Sequence, residues 1–242
     1  MSYKPSNYTL QHITFLLVTL IIGAVLISFK ANAEKAIPFQ SQWLKKHYAE
    51  RIAHFKLQPL RKGDIVLVGD SITEQGLNWS IRFNDLRVRN RGISGDMTYG
   101  VLARLNELKA APPKAIFLKI GVNDIFNYHY IKQVKDLASV SENIEKIVTQ
   151  LNKSLPNTQI YVQSILPDHR DFITQMTQMT QTVNQQIKAI EHANFTYIDL
   201  HPVFLGPQGT LKKSLTTDGT HLNQAGYDLW AKQLAPIMKT LK

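Results

Sequence analysis

Asp218 and His221 stand three residues apart in Asp218-Gly219-Thr220-His221-Leu222-Asn223, ahead of the last helical pattern of the chain. At that spacing in a turn, a carboxylate can hold the imidazole Nδ1–H and leave Nε2 free to accept a proton. A surface Asp beside an unengaged His would read the same way. Gly69-Asp70-Ser71 follows an apolar run. A serine placed there meets the chain as it turns into a helix, with an exposed Oγ and its N–H near the positive helix end. The competing role is a simple N-cap. Asn90-Arg91-Gly92-Ile93-Ser94-Gly95-Asp96 supplies two glycines for a tight turn or a close backbone approach to a ligand. Gly121-Val122-Asn123-Asp124 supplies a carboxamide that can donate two hydrogen bonds into a cleft, though Asn-Asp is also ordinary turn chemistry.

These clusters need elements to bring them together, and the hydrophobic pattern supplies them. Gln40 to Leu57 reads as an amphipathic helix with Trp43, Leu44, His47, Ile52 and Phe55 on its apolar side. Short strands are expected at Ile65–Val68, Leu86–Arg89, Ala115–Ile120, Gln159–Ile165 and Phe195–Leu200. Helices are expected at Val101–Leu108, Val134–Leu151, Phe172–His192 and Gln224–Leu241. Strand–helix alternation of this kind predicts an α/β sandwich on a parallel sheet. Sites in such sheets form outside the carboxyl ends of the strands, where the clusters fall. Lys119 is out of place in a strand that otherwise reads as buried, unless it points between helices or toward an edge. Asp70 and Asp124 suit structural hydrogen bonding. His169 and Arg170, after the fourth strand, are candidates to line a substrate cleft, or belong to a solvated loop.

Taken together, the four clusters resemble the blocks of the SGNH (GDSL-like) hydrolase family: G-D-S, G, G-x-N-D and D-x-x-H. The resemblance runs from about Leu44 to Lys242. The stretches LRKGDIVLVGDS, NRGISGDMTYGVLARL and FLKIGVND resemble the branch containing platelet-activating-factor acetylhydrolase-like and bacterial acyl or acetyl esterases. It implies a three-layer α/β/α sandwich, flavodoxin-like, with a five-stranded parallel sheet in the order 2-1-3-4-5 and no metal or other cofactor. It implies Ser71 as nucleophile, His221 as base and Asp218 as its orienter. The oxyanion would meet the N–H groups of Ser71 and Gly95 and the side chain of Asn123, with the missing Cβ at Gly95 allowing close approach. The implied activity is hydrolysis of a carboxylic ester, with short acyl or acetyl groups on lipid or carbohydrate, through an acyl-enzyme. Acyl transfer to a cell-envelope glycan is the enzymatic alternative. A non-catalytic flavodoxin-like binding module is the other, although no G-x-G-x-x-G or G-x-x-x-x-G-K-[ST] follows the first strand.

Composition bounds the rest. The chain has 242 residues, 44% hydrophobic and 19% charged, as a globular domain requires. Residues 5–29 carry no charge, and Ile13 to Phe29 is a run of 17 mostly apolar residues followed by Ala31-Asn32-Ala33. Residues 1–33 therefore read as a signal peptide cut before Glu34, or as a membrane anchor, and residues 34–242 as the esterase domain. Export is expected, to the periplasm or outside the cell, with membrane association through residues 13–29 as the variant. Lys30, Lys35, Lys45 and Lys46 after the run would favour the opposite orientation for an uncleaved anchor. There is no cysteine, so no disulfide framework and no thiolate site. Basic residues outnumber acidic ones 28 to 18, but they are scattered, without a dense run or interleaved aromatics, which speaks against a nucleic-acid partner. The expected partner is a small-molecule, glycan or lipid ester.

Overall fold

The computed structural model describes residues 36–84, 87–169 and 174–241. The leader-like segment 1–33, Leu86, Arg170 and Phe172 lie outside them. Among the described residues no helix is long and apolar enough to cross a membrane.

Five parallel strands form one sheet: β1 (Ile65–Gly69), β2 (Val88–Gly92), β3 (Ala115–Lys119), β4 (Gln159–Gln163) and β5 (Thr196–Ile198), in the order β2-β1-β3-β4-β5. The order and the parallel direction are those implied by the resemblance. Ile65 pairs with Val88 on one side and Ala115 on the other, so β1 is an interior strand, next to β3 at the centre of the sheet. Every residue of β1 and β3 is buried, which is why both read as continuous apolar runs. The second strand begins at Val88 and takes in Asn90, Arg91 and Gly92, so the expected turn cluster is half strand.

Helices cover both faces. On one lie α1 (Gln42–Leu57), beside β2, and, over the sheet, α4 (Thr98–Ala103), α7 (Ala138–Ser154) and α8 (Thr174–Lys188), with α7 packed against both α4 and α8. α1 is capped by Ser41, whose Oγ accepts from Leu44 N–H at 3.1 Å. α7 starts later than expected because Asn127 Oδ1 accepts from the N–H groups of Gln133 and Val134, and Asp136 Oδ1 accepts from Ala138 N–H. The expected helix Val101–Leu108 is two pieces, α4 and α5 (Leu105–Lys109). The break is at Arg104 (φ −109°), whose side chain is drawn toward the strand ends.

The other face is covered by the helix Gln224–Thr240 and by α3 (Trp79–Arg82), whose Trp79, Tyr227 and Trp230 form an aromatic cluster; Trp79 meets Trp230 edge-on at 4.8 Å. Here Lys119 finds its place. It points between the start of the Ser71–Glu74 helix and the Gln224–Thr240 helix. It is 1% exposed, with Nζ 3.9 Å from Asp70 Oδ1 and 5.4 Å from the Trp230 ring. Burial pulls the ammonium's pKa down, and the Asp70 carboxylate opposes that. Asp70 is itself fully buried and caps α2 (Ser71–Glu74) by accepting from Ile72 N–H at 3.0 Å.

Removing one partner of such a pair leaves the other charge buried and uncompensated. Lys119→Met is expected to lower the unfolding free energy by about 3 kcal/mol in urea titrations. The double variant Lys119→Met/Asp70→Asn should lose less than the single one. A single variant as stable as the parent would show that the pair carries no such constraint.

Candidate active site

Ser71 opens α2 directly beyond the end of β1, and its Oγ lies 2.9 Å from His221 Nε2. On the far side of the ring, His221 Nδ1 lies 2.7 Å from Asp218 Oδ2. A carboxylate can only accept, so Nδ1 is the donor in that contact. A neutral ring then presents Nε2 as acceptor to the Ser71 hydroxyl. Ser71 is less open than the sequence suggests, at 8% exposure, whereas the side chains of His221 and Asp218 are 28% and 52% exposed. Burial alone would raise the Asp218 carboxyl. Its hydrogen bonds from the His221 side chain, the His221 N–H and the Thr220 N–H hold it down at about 2.

The loop carrying Asp218 and His221 is tied in many places. Asp218 Oδ1 accepts from the N–H groups of Thr220 and His221 at 2.9 and 2.8 Å. Thr216 Oγ1 accepts from Gly219 N–H and donates to the His221 carbonyl. Thr220, inside the D-x-x-H spacing, donates to the buried Asp168 carboxylate at 2.6 Å. His169 donates its backbone N–H to the Gly219 carbonyl at 2.7 Å, while its Nδ1 is engaged with Thr210 Oγ1. The His169 imidazole, a candidate to line a cleft or to stand in a solvated loop, contacts Thr210 through Nδ1, and its main chain supports the Asp218–His221 loop.

Gly95 and Asn123 come to the same end of the sheet. Gly95 has φ +80°, a left-handed conformation that favours glycine. A Cβ there would meet Leu44 and Trp43 of α1 at 3.3 and 3.4 Å, so backbone conformation, more than room for a ligand, explains the glycine. Close approach is needed instead at Gly92, where a Cβ would fall 2.2 Å from Glu74 N. Asn123, in α6 (Val122–Phe126), donates one N–H to the Asp96 carbonyl at 2.9 Å, which aims the carboxamide and leaves its second hydrogen. Asp124 takes the structural role expected of it, accepting from Thr98 N–H and from Thr98 Oγ1–H at 2.6 Å.

Several residues of the site had no distinctive sequence signal. Glu74, at the end of α2, accepts from Ser94 N–H (2.6 Å) and Ser94 Oγ–H (2.8 Å), contacts His47 Nε2 (3.0 Å) and pairs with Arg51 (3.3 Å). Burial would raise its carboxyl; the bonds from His47 and Ser94 and the Arg51 charge bring it below the usual value. Asp96 is 1% exposed and accepts from Arg104 at 3.0 Å. Thus Glu74 fixes one end of the Ser94–Gly95 turn and Asp96 the other.

With this geometry in view, comparison with known proteins is decisive at the level of family. The sequence profile of the GDSL-like lipase/acylhydrolase family matches residues 67–229. The chain belongs to that family. It is accordingly an acylhydrolase, and the profile takes in both the Ser71 and the His221 ends of the site. Platelet-activating factor acetylhydrolase IB subunit alpha1 of Homo sapiens is 27% identical over 221 residues, covering 86% of this chain and 90% of that protein. A GDSL-like lipase from Bacteroides thetaiotaomicron has a similar solved structure, with TM-score 0.65 and 21% identity over 82% of this chain and 98% of the other. An acetylxylan esterase from Geobacillus stearothermophilus superposes with TM-score 0.59 and 20% identity, covering 74% and 95%. At those identities the two structures establish a shared fold.

In this GDSL-like chain, two buried carboxyls make stability depend on pH. Burial pushes Asp124 up to about 7, against the hydrogen bonds from Thr98, and pushes Asp96 up to about 6, against Arg104. Both values lie above the ordinary 3.8. Their contribution to stability is therefore complete below about pH 4 and is lost as pH rises through about 6 to 7. Asp124→Asn keeps an acceptor for Thr98 and removes the charge. Its Tm should fall less than the parent's between about pH 5 and 8; equal slopes would contradict the assignment to Asp124.

Proposed function

We propose that this acylhydrolase is a serine esterase that removes short acyl groups, acetyl first, through an acyl-enzyme on Ser71. The observation that carries the reading is the line from Ser71 Oγ through the His221 ring to Asp218, at 2.9 and 2.7 Å. As Oγ attacks the ester carbonyl, Nε2 takes its proton and Asp218 stabilises the imidazolium. Negative charge develops on the carbonyl oxygen, and the N–H groups of Ser71 and Gly95 with the free amide hydrogen of Asn123 are its donors. Collapse expels the alcohol, protonated by His221. Water, deprotonated by the same ring, then releases the carboxylate and restores Ser71. The preference for acetyl rests on the relatives, whose names describe a platelet-activating factor acetylhydrolase and an acetylxylan esterase.

Ser71→Ala is expected to lower kcat on p-nitrophenyl acetate by as much as about 10⁶ while the circular dichroism spectrum is kept. More than a few per cent of residual turnover would exclude Ser71 as nucleophile. Asp218, held at about 2 by its hydrogen bonds from His221 and Thr220, stays ionised and should add no acid step of its own to the kcat/KM profile above about pH 4.

Asn123 separates a transition-state donor from a ground-state contact. Asn123→Ala should lower kcat by roughly 10²–10³ with little change in KM. A raised KM at unchanged kcat would assign it to substrate binding instead.

A further inference from the structure

The chain has three tryptophans. Trp79 and Trp230 are fully buried in the aromatic cluster, but Trp43 is 60% exposed. A single exposed apolar side chain is unremarkable in itself. This one differs in how it is held and where. Its ring lies nearly parallel to that of His47, 11° apart and 5.0 Å between centres, so one face of the indole is backed and rigid. His47 contacts Glu74, and Glu74 binds both the N–H and the hydroxyl of Ser94. The chain of contacts therefore runs from the indole to the turn that carries Gly95. The indole edge also reaches that turn directly, 3.4 Å from where a Gly95 Cβ would stand. A second aromatic pair joins the same two segments: Phe39, four residues before Trp43, meets Tyr99, four residues after Gly95, edge to face at 5.1 Å.

Along α1, Trp43, His47, Arg51 and His54 recur at three- and four-residue steps, which places them on one side of the helix, and Gln58 is its C-cap. Beyond His47, that side borders a polar cavity of about 510 Å³ whose lining includes Arg51, His54, Gln58, Glu74 and Asn90. A flat aromatic face followed by a run of hydrogen-bonding groups matches the chemistry of a sugar chain. The C–H face of a pyranose packs on an aromatic plane, and its hydroxyls need donors and acceptors around the rim. An acyl tail would instead require a concave apolar slot, which a one-faced platform is not.

We propose that Trp43 is the carbohydrate platform of this esterase: a pyranose ring of an acylated oligosaccharide stacks on its open face while the ester reaches Ser71. The proposal rests on the esterase reading above and adds the alcohol side of the substrate. Stacking on a rigid, already backed ring gains apolar burial at small entropic cost.

Two measurements on the full chain test it. The first uses Ser71→Ala protein, which should bind without turnover, and acrylamide quenching of tryptophan fluorescence. Because the other two tryptophans are buried, the quenchable emission belongs to Trp43 and should vanish in Trp43→Phe. Acetylated xylotriose should protect it saturably, and triacetin, an acetate ester without a sugar ring, should not. Equal protection by triacetin, protection by anionic phospholipid vesicles but not by the sugar, or an indole already shielded in the free protein would each overturn the proposal. The second compares kcat/KM for acetylated xylotriose with that for p-nitrophenyl acetate. The ratio should fall about tenfold or more in Trp43→Ala and recover partly in Trp43→Phe; an unchanged ratio would overturn the platform. Failure of the parent to hydrolyse p-nitrophenyl acetate would instead refute the esterase reading, while the quenching experiment would still decide whether Trp43 binds the sugar.

Discussion

At the carboxyl end of the parallel sheet, the guanidinium of Arg104 gathers acceptors from two neighbouring strands. It donates to the Gly69 carbonyl at the end of β1, to the Arg91 carbonyl in β2, and twice to the Asp96 carboxylate. A buried cation is expensive unless every donor finds an acceptor. Here the acceptors are the backbone of two neighbouring strands and the acid that follows the Gly95 turn. Satisfying Arg104 thereby fixes the spacing between the Ser71 strand and that turn. The Asp96 carbonyl then orients Asn123, and Asp124 binds Thr98 at the start of α4, so the third strand end is referenced to the same point.

The site is consequently built from three loops held by different means. The Gly95 turn is clamped by carboxylates, Glu74 on one side and Asp96 on the other. The Asn123 helix is held through its neighbour Asp124. The Asp218–His221 loop is held from below by Asp168 and from beside by the His169 backbone. The side chains of His221 and Asp218 remain 28% and 52% exposed, while Ser71 is buried. The helix α1 belongs to this assembly: Arg51 donates to the Gly92 carbonyl and Tyr48 to the Gly100 carbonyl, on either side of the Gly95 turn.

What the sequence made legible follows from the range of the interactions involved. Ile65–Val68 and Ala115–Leu118 are buried on both faces, so apolar runs alone marked them as strands. Asp218 and His221 are local partners, so their spacing allowed their hydrogen bond, while the resemblance alone chose it over an unengaged surface pair. The sheet order and the meeting of Ser71 with His221, 150 residues apart, came only from the resemblance to a family. Glu74, Asp168 and Arg104 were silent because each is defined by partners in other elements. Arg104 also explains the misread helix: Val101, Leu105 and Leu108 are all buried at helical spacing, yet the chain breaks at Arg104, drawn toward the strand ends. Lys119 looked anomalous in a buried strand because its counterion, Asp70, lies on another strand end.

The account stands or falls on a covalent acyl group at Ser71. The direct measurement is mass spectrometry of the full chain, quenched in acid within the first turnovers with p-nitrophenyl acetate, followed by peptide mapping. The account predicts one added acetyl group, on the peptide containing Ser71, appearing with the first release of p-nitrophenol and absent from Ser71→Ala protein. Rapid turnover with no acetylated species at any quench time, even in a His221→Ala variant acylated slowly by an excess of the ester, would contradict it, as would an acetyl group mapped to another residue.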